Sequence, residues 1–376
     1  MAENNFSDID FKWMSLALEI AEWGAGYVSP NPMVGCVIVS KEGEKIAQGY
    51  HERYGQAHAE VNAVDTVKDN AKLQGATVYV TLEPCSHEGK TPPCSAMLKQ
   101  LPVNRVVVAM KDPNPEVNGT GIKELRESGI TVDVGLMEEQ AKKLNEFFLH
   151  HQKYNRPFVT LKIAQTLDGY IAAPDGNSEW ISGKESRSKV HEWRSKYDAV
   201  MVGRNTALID NPRLTVRHVE GRQPRRIVLD GPLELPKDLN LFSDQYEEKT
   251  IVVTHNKEKL ESEGDPMLAM LQSDYFRGST IWVPQKEGHV DLSETMKKLA
   301  EENITSILVE SGQNLGSALL KENLVDKIEC FVAPKILGGG TKSFMGVGVQ
   351  RMDEIMELKD VEWRQSGKDI LVSGYL

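Results

Sequence analysis

The stretch from His58 to Cys94 constrains this chain more than any other. It reads His58-Ala59-Glu60, then an apolar run Ala76-Thr77-Val78-Tyr79-Val80-Thr81-Leu82, then Glu83-Pro84-Cys85, and finally Pro93-Cys94. One imidazole and two thiolates, His58, Cys85 and Cys94, suit a tetrahedral zinc ion (Zn2+). Three protein ligands leave a fourth position for water, which is the arrangement of a catalytic rather than a structural site. Bound zinc lowers the pKa of such a water to roughly 7, and Glu60, two residues from the imidazole, can move protons without binding the metal.

A His-x-Glu with Pro-Cys pattern is characteristic of zinc deaminases, where two residues usually separate the thiolates. Here Ser86 to Pro93 lie between them, which predicts a loop over the site. The run Glu83-Pro84-Cys85-Ser86-His87-Glu88-Gly89-Lys90-Thr91-Pro92-Pro93-Cys94 closely resembles the deaminase half of the bifunctional riboflavin-biosynthesis deaminase/reductase family. Two other readings compete with it. One is a nucleoside or nucleic-acid deaminase with an unrelated appended domain, and the other is a zinc-binding module without catalysis.

Charge bears on that choice. The net charge is -11, and residues 1–150 carry 14 basic against 21 acidic groups, the remainder 30 against 34. Neither half has the basic excess that phosphate-backbone binding demands, so nucleic acid is not an expected partner. With 376 residues, 40% of them hydrophobic, the chain predicts two globular domains. Two of the four cysteines are claimed by the metal, and Cys36 and Cys330 lie in apolar runs, so a disulfide framework is not expected. The start Met1-Ala2-Glu3-Asn4-Asn5-Phe6-Ser7-Asp8 is acidic and polar, and no apolar run is long enough to span a membrane. A cytoplasmic location is the expectation.

The first half alternates between helix and strand signals. Asp10 is a candidate cap for a helix over Phe11 to Trp23, with Phe11, Met14, Leu18 and Ala21 on one face. Strands are expected at Cys36–Val39, Lys45–Gly49, Ala76–Leu82, Arg105–Met110 and Ile130–Val134. A helix is expected from His58 to Lys72, a second after Cys94, and a third over Gly121–Ser128. A charged helix over Glu138–Tyr154 then leads to Pro157. The alternation predicts an α/β sandwich with a boundary near residue 150. By the family resemblance, pyrimidine and phosphate contacts fall on Asn31, His51, His87, Lys90 and Asp112.

The pattern restarts after that boundary. Strands are expected at Phe158–Ile163, Ala199–Gly203, Arg226–Asp230, Thr250–Thr254, Ile281–Val283, Ser306–Glu310 and Ile328–Ala333. After Val309, the sequence Glu310-Ser311-Gly312-Gln313-Asn314-Leu315-Gly316-Ser317-Ala318 reads as a turn entering a helix, whose free amides suit a phosphate. No Gly-x-Gly-x-x-Gly follows a strand, so a standard Rossmann domain is not supported. Gly338-Gly339-Gly340 is either a close-approach loop or a flexible turn.

Several segments of this half resemble the same family's reductase half: Leu161 to Gly169, Ser178-Glu179-Trp180-Ile181, His191-Glu192-Trp193-Arg194, Gly203-Arg204-Asn205-Thr206, and Asp210 to Arg217. The resemblance implies an α/β chain with a cytidine-deaminase-like α/β/α sandwich (1–150) and a dihydrofolate-reductase-like α/β domain (151–376). It implies hydrolytic, zinc-dependent deamination of 2,5-diamino-6-(5-phosphoribosylamino)pyrimidin-4(3H)-one. NADPH-dependent reduction of the resulting aminouracil's ribosyl group to ribityl follows. NADPH contacts would fall on Ala164, Trp180, Thr206, Asp210 and Gly312, Gln313, Asn314, Leu315, Gly316, Ser317 and Ala318. Substrate contacts would fall on Ser178, Arg194, Leu214, Arg217 and Glu310, with Arg194 and Arg217 suited to a phosphate. A homo-oligomer, paired through the second domain, is implied as well. Two positions depart from the family: Thr166 stands where many members have Ser, and Gly231 where a small polar residue is usual.

Overall fold

The computed structural model describes residues 6–86, 92–114, 118–258, 277–348 and 350–376. The chain divides into two units, Met1–Asn155 and Arg156–Leu376.

In the first unit, helix α1 (Asp8–Ala21) precedes strands β1 (Gly35–Val39) and β2 (Lys45–Tyr50), helix α2 (Ala59–Asp65) and strand β3 (Ala76–Leu82). There follow α3 (Cys94–Leu98), β4 (Val103–Met110), α4 (Thr120–Glu127), β5 (Thr131–Val134), α5 (Glu138–Leu144) and α6 (Glu146–Tyr154). The strands form one sheet in the order β2-β1-β3-β4-β5, with β1 antiparallel to both neighbours and β3, β4 and β5 parallel. Both faces of the sheet are covered because its strands alternate two apolar sets. Cys36, Ile38, Val78, Val80, Val106 and Val108 pack with α2, α3 and α4, whereas Val37, Val39, Tyr79, Val107 and Ala109 pack with α1 and α5. This is an α/β/α sandwich.

Three details differ from the sequence reading, each for a local reason. Helix α1 is capped by Ser7, and Asp10 is its capping-box partner three residues in, so the helix starts earlier and Phe11 is exposed rather than on the core face. Helix α2 ends at Asp65, and a short 3-10 turn capped by Asp69 takes up Asn70–Leu73. The expected single helix over Glu138–Tyr154 is broken at Asn145, whose buried side chain accepts from Met33 N at 2.8 Å and donates to Met33 O at 3.0 Å.

The second unit runs β6 (Phe158–Thr166), β7 (Tyr170–Ala172), α7 (Lys184–Lys196), β8 (Ala199–Gly203), α8 (Arg204–Asp210), β9 (Arg225–Leu229), α9 (Asn240–Ser243) and β10 (Thr250–Thr254). It continues with β11 (Ser279–Trp282), β12 (Gln285–Lys286), β13 (His289–Val290), α10 (Leu292–Glu301), β14 (Ser306–Val309), α11 (Gln313–Lys321), β15 (Lys327–Ala333), β16 (Thr341–Lys342), β17 (Lys359–Ser366) and β18 (Asp369–Tyr375). Nine strands make one sheet, β11-β10-β9-β8-β14-β6-β15-β18-β17. It is parallel from β11 to β15 and antiparallel across β18 and β17. Ligands of such open sheets bind outside the carboxyl ends of the parallel strands. The triple glycine proves to be a close-approach loop. A Cβ on Gly340 would meet Ala172 O at 2.1 Å, and Asp168 accepts from Leu337 N and Gly338 N at the loop's start. No helix among the described residues is long and apolar enough to cross a membrane.

Candidate active sites

In the first unit the candidate metal ligands come from three element ends. His58 is the residue before α2, Cys85 follows β3, and Cys94 opens α3. The seat of α2 depends on Gly49, where a Cβ would lie 2.3 Å from Ala63 N, so only glycine lets the helix rest on β2. His58 Nδ1 lies 3.5 Å from Cys85 Sγ and 3.4 Å from Cys94 Sγ, and all three donor atoms fall within 4.8 Å of one another. Tetrahedral zinc with Zn–N near 2.0–2.1 Å and Zn–S near 2.3 Å has N···S edges of about 3.5 Å, so these residues fit the ion without rearrangement. Among the described residues no other His, Cys, Asp and Glu group has such an arrangement.

Electrostatics supports the same assignment. The hydrogen bond from Cys94, with His58 adding to the effect, holds the Cys85 thiol below its usual range, and Cys94, which carries the shared proton, is pushed above it. Glu60, in the first turn of α2, is buried, and burial together with the charge of Cys85 pushes its carboxyl up to about 7. Such a group holds or releases a proton at neutral pH.

Asn31 and His51 meet beside the ligands, with Asn31 Nδ2 3.3 Å from His51 Nε2 and the His51 ring edge-on to His58 at 5.6 Å. Asp112 lies on the loop after β4, where its carboxylate accepts from Asn114 N. His87 and Lys90 lie outside the described residues. The sequence reading gave no role to Glu83. It is buried and accepts from Asp112 N, Gly119 N and Ile122 N at 3.3, 2.9 and 3.3 Å, clamping the loop that carries Asp112. Its place inside the motif was the only signal, since its partners lie far along the chain.

In the second unit Glu310 stands just past the carboxyl end of β14. Arg194, from α7, donates to both of its oxygens at 2.6 and 3.0 Å and to Thr215 O at 2.9 Å. Lys162 of β6, half-buried, lies 3.9 Å from the same carboxylate, another charge to which the sequence reading gave no role. Burial pushes Glu310 up, but Arg194 outweighs it and holds the carboxyl below its usual range. Among the described residues the Arg217 guanidinium makes one side-chain hydrogen bond, to Thr215 Oγ1 at 2.9 Å. Leu214 is buried, and Ser178 is half-buried on the loop before Trp180.

Gly312 caps α11 and donates to Thr206 Oγ1 at 3.3 Å, so the start of this helix sits against the start of α8. The first turn of α11 holds no acidic residue, which suits an anionic ligand. Of the expected cofactor contacts, Gly312 to Leu315 and Thr206 come together here, whereas Gly316 and Ser317 are buried beneath the helix and Ser317 accepts from Met345 N. Ala164 is half-buried on β6, Asp210 ends α8, and Trp180 is exposed with the Arg187 guanidinium 4.3 Å over its ring. At Gly231 a Cβ would meet the His255 ring at 2.7 Å, so a neighbouring imidazole fills the space a side chain would take.

A zinc deaminase unit and an α/β reductase unit in a single chain define a bifunctional deaminase/reductase. Residues 7–110 match the family model for the cytidine and deoxycytidylate deaminase zinc-binding region, and residues 157–372 that for the RibD C-terminal domain. The chain is 39% identical over 375 residues to riboflavin biosynthesis protein RibD of Actinobacillus pleuropneumoniae, covering 99% of this chain and 97% of that one. It is 42% identical over 370 residues to the RibD of Aquifex aeolicus, covering 97% and 98%. The solved diaminohydroxyphosphoribosylaminopyrimidine deaminase/5-amino-6-(5-phosphoribosylamino)uracil reductase of Thermotoga maritima is similar at TM-score 0.85 and 37% identity over 98% of each chain. An Acinetobacter baumannii RibD structure is similar at TM-score 0.84 and 35% identity over the same shares. The chain belongs to the RibD family. It is a bifunctional enzyme of riboflavin biosynthesis, a zinc-dependent deaminase and an NADPH-dependent reductase acting on small molecules. Matches across both halves disfavour a nucleic-acid deaminase with an unrelated appendage.

Proposed function

We propose that the first unit removes the 2-amino group of 2,5-diamino-6-(5-phosphoribosylamino)pyrimidin-4(3H)-one and that the second reduces the ribosyl group of the resulting aminouracil. The observation that carries the first step is the meeting of His58, Cys85 and Cys94 beside a buried carboxyl poised near neutrality. Zinc held there supplies a Lewis acid that makes a water molecule acidic enough to lose its proton near neutral pH. Glu60 takes a proton at its carboxylate and hands it to the departing nitrogen, which leaves as ammonia. Asn31 and Asp112, on the loops before β1 and after β4, would contact the ring and its substituents, and the family resemblance adds His87 and Lys90 to them.

In the second unit the first turn of α11 and Thr206, with Ala164, Trp180 and Asp210, would hold NADPH, which would supply a hydride. Glu310 faces the ribosyl carbons. Arg194 is committed to Glu310, so the substrate phosphate falls to Arg217, with Ser178 and Leu214 lining the pocket. Copies of the chain pair through this unit, where β17 forms an unpaired sheet edge with Trp363 74% exposed, and the enzyme works in the cytoplasm. Light scattering tests the pairing. Metal analysis and deamination assays of Glu60→Gln test the first site. The variant should keep its zinc and lose deamination by about 10²-fold to 10⁴-fold. Loss of the zinc, or deamination at the wild-type rate, contradicts the role given to Glu60.

A further inference from the structure

We infer that Lys335, on the loop after β15, is a positioning residue for the reductase: its ammonium pins the backbone that carries Trp180 and so holds the indole where NADPH meets it. The inference rests on the reading of Trp180 as a cofactor contact and adds what keeps that contact in place.

Trp180 differs from the rest of the expected cofactor set in what holds it. Ala164 lies on β6, Thr206 and Asp210 on α8, and Gly312 to Ala318 cap and form α11, so regular hydrogen-bond ladders fix them all. Trp180 lies between β7 and α7, where neither helix nor strand fixes the chain, and it is 61% exposed. A side chain on an unsupported loop samples many conformations, and each one that cannot bind lowers the apparent affinity.

Two cationic side chains take the place of a ladder. Lys335 Nζ donates to Trp180 O at 2.6 Å and to Ile181 O at 2.8 Å, and Arg187 Nη1 donates to Ser182 O at 2.7 Å. The carbonyls of three consecutive residues are thereby fixed. Arg187 also sets its guanidinium 4.3 Å over the Trp180 ring, so the residue is held at its indole and at its own carbonyl. Just beyond, Gly183 N donates to the Asp369 carboxylate at 2.7 Å and anchors the end of the same stretch.

Lys335 is itself held at its base. Its backbone N donates to Ala333 O at 2.8 Å and its carbonyl accepts from Leu167 N at 2.8 Å. Two residues further on, Leu337 N and Gly338 N donate to the Asp168 carboxylate at 3.1 and 2.7 Å. The lysine therefore ties the Trp180 stretch to the turn after β6, the strand that carries Ala164. A single bond from an exposed lysine gains little, because water competes for the ammonium and the long stem must be ordered. Here the backbone beneath the stem is fixed and one ordered stem makes two bonds. Since both go to backbone carbonyls, Lys335 acts on NADPH through the loop.

The test is calorimetric titration of the full-length zinc enzyme with NADPH, for wild type, Lys335→Met, Trp180→Ala, the double variant and Lys335→Arg. Lys335→Met keeps the stem and removes the donors. It should weaken NADPH binding about tenfold, the shift expected when the loop is competent in about one molecule in ten. Trp180→Ala should weaken binding at least as much, and the double variant should bind no more weakly than Trp180→Ala alone. Lys335→Arg, whose fork can serve both carbonyls, should bind close to wild type. The deamination rate of the same preparations should not change. Wild-type affinity in Lys335→Met overturns the proposal. So does a double variant in which the two losses add in full, since the ammonium would then touch NADPH itself. Trp180→Ala with wild-type affinity would sink the reading of Trp180 as a cofactor contact, and the proposal with it.

Discussion

Glu60 is a buried carboxylate and Glu310 a half-buried one, and their surroundings send them opposite ways. Burial and a neighbouring thiolate push Glu60 up to about 7, which suits proton transfer. Glu310 is held ionised by Arg194, with Lys162 close by, which suits orienting a substrate or a cation. Arg217→Ala should therefore raise the KM for the aminouracil phosphate by about tenfold or more, the cost of a lost charge-assisted bond, with little change in the KM for NADPH. Steady-state rates followed by NADPH absorbance check this, and an effect on NADPH alone would contradict it. The cluster of His58, Cys85 and Cys94 with Glu60 beside it was legible because their spacing is local and their residue types are chemically restrictive. Glu83 and the Arg194–Glu310 pair were not, because their partners lie 29 to 39 and 116 residues away. Only folding shows that Arg194 is spent on a carboxylate.

At the scale of elements, most strands were legible from short apolar runs, since the central strands of both sheets are buried on both faces. The β17–β18 hairpin was missed. Strand β17 is exposed along nearly its whole length and carries charges and Trp363 on an open edge, so it shows no apolar alternation. Helix bounds failed where a side chain serves a distant segment, as Asn145 serves Met33 and breaks α5 from α6. The same logic makes α1 acid-sensitive. Burial pushes the Asp10 carboxyl up, but Arg105, Ser7 and Tyr79 outweigh it and leave it at about 2. A folded pKa below the unfolded value of about 3.9 stabilises the fold at pH above that value, by roughly 2 kcal/mol, and this is lost as pH falls through 2. Thermal unfolding of Asp10→Asn should thus show a deficit of that order from pH 7 down to about pH 5, shrinking toward pH 2. A deficit independent of pH would contradict the assignment.

At the scale of the whole molecule, each unit has its own sheet, core and site. A fragment of residues 156–376 should therefore fold and reduce the deaminated substrate with NADPH, and a soluble, folded fragment without that activity would contradict the division. The measurement that tests the central claim most directly is product mass from the intact chain, zinc-loaded or zinc-stripped, given the diaminopyrimidine phosphate or its deaminated form. With zinc alone, the diamino compound should exchange an NH for an oxygen and go no further. With zinc and NADPH it should also gain a pair of hydrogen atoms. Stripped of zinc, the chain should leave the diamino compound unchanged yet still reduce the deaminated one at the zinc-loaded rate. Deamination that survives zinc removal, or reduction that disappears with it, would contradict an account in which two independent sites share one chain.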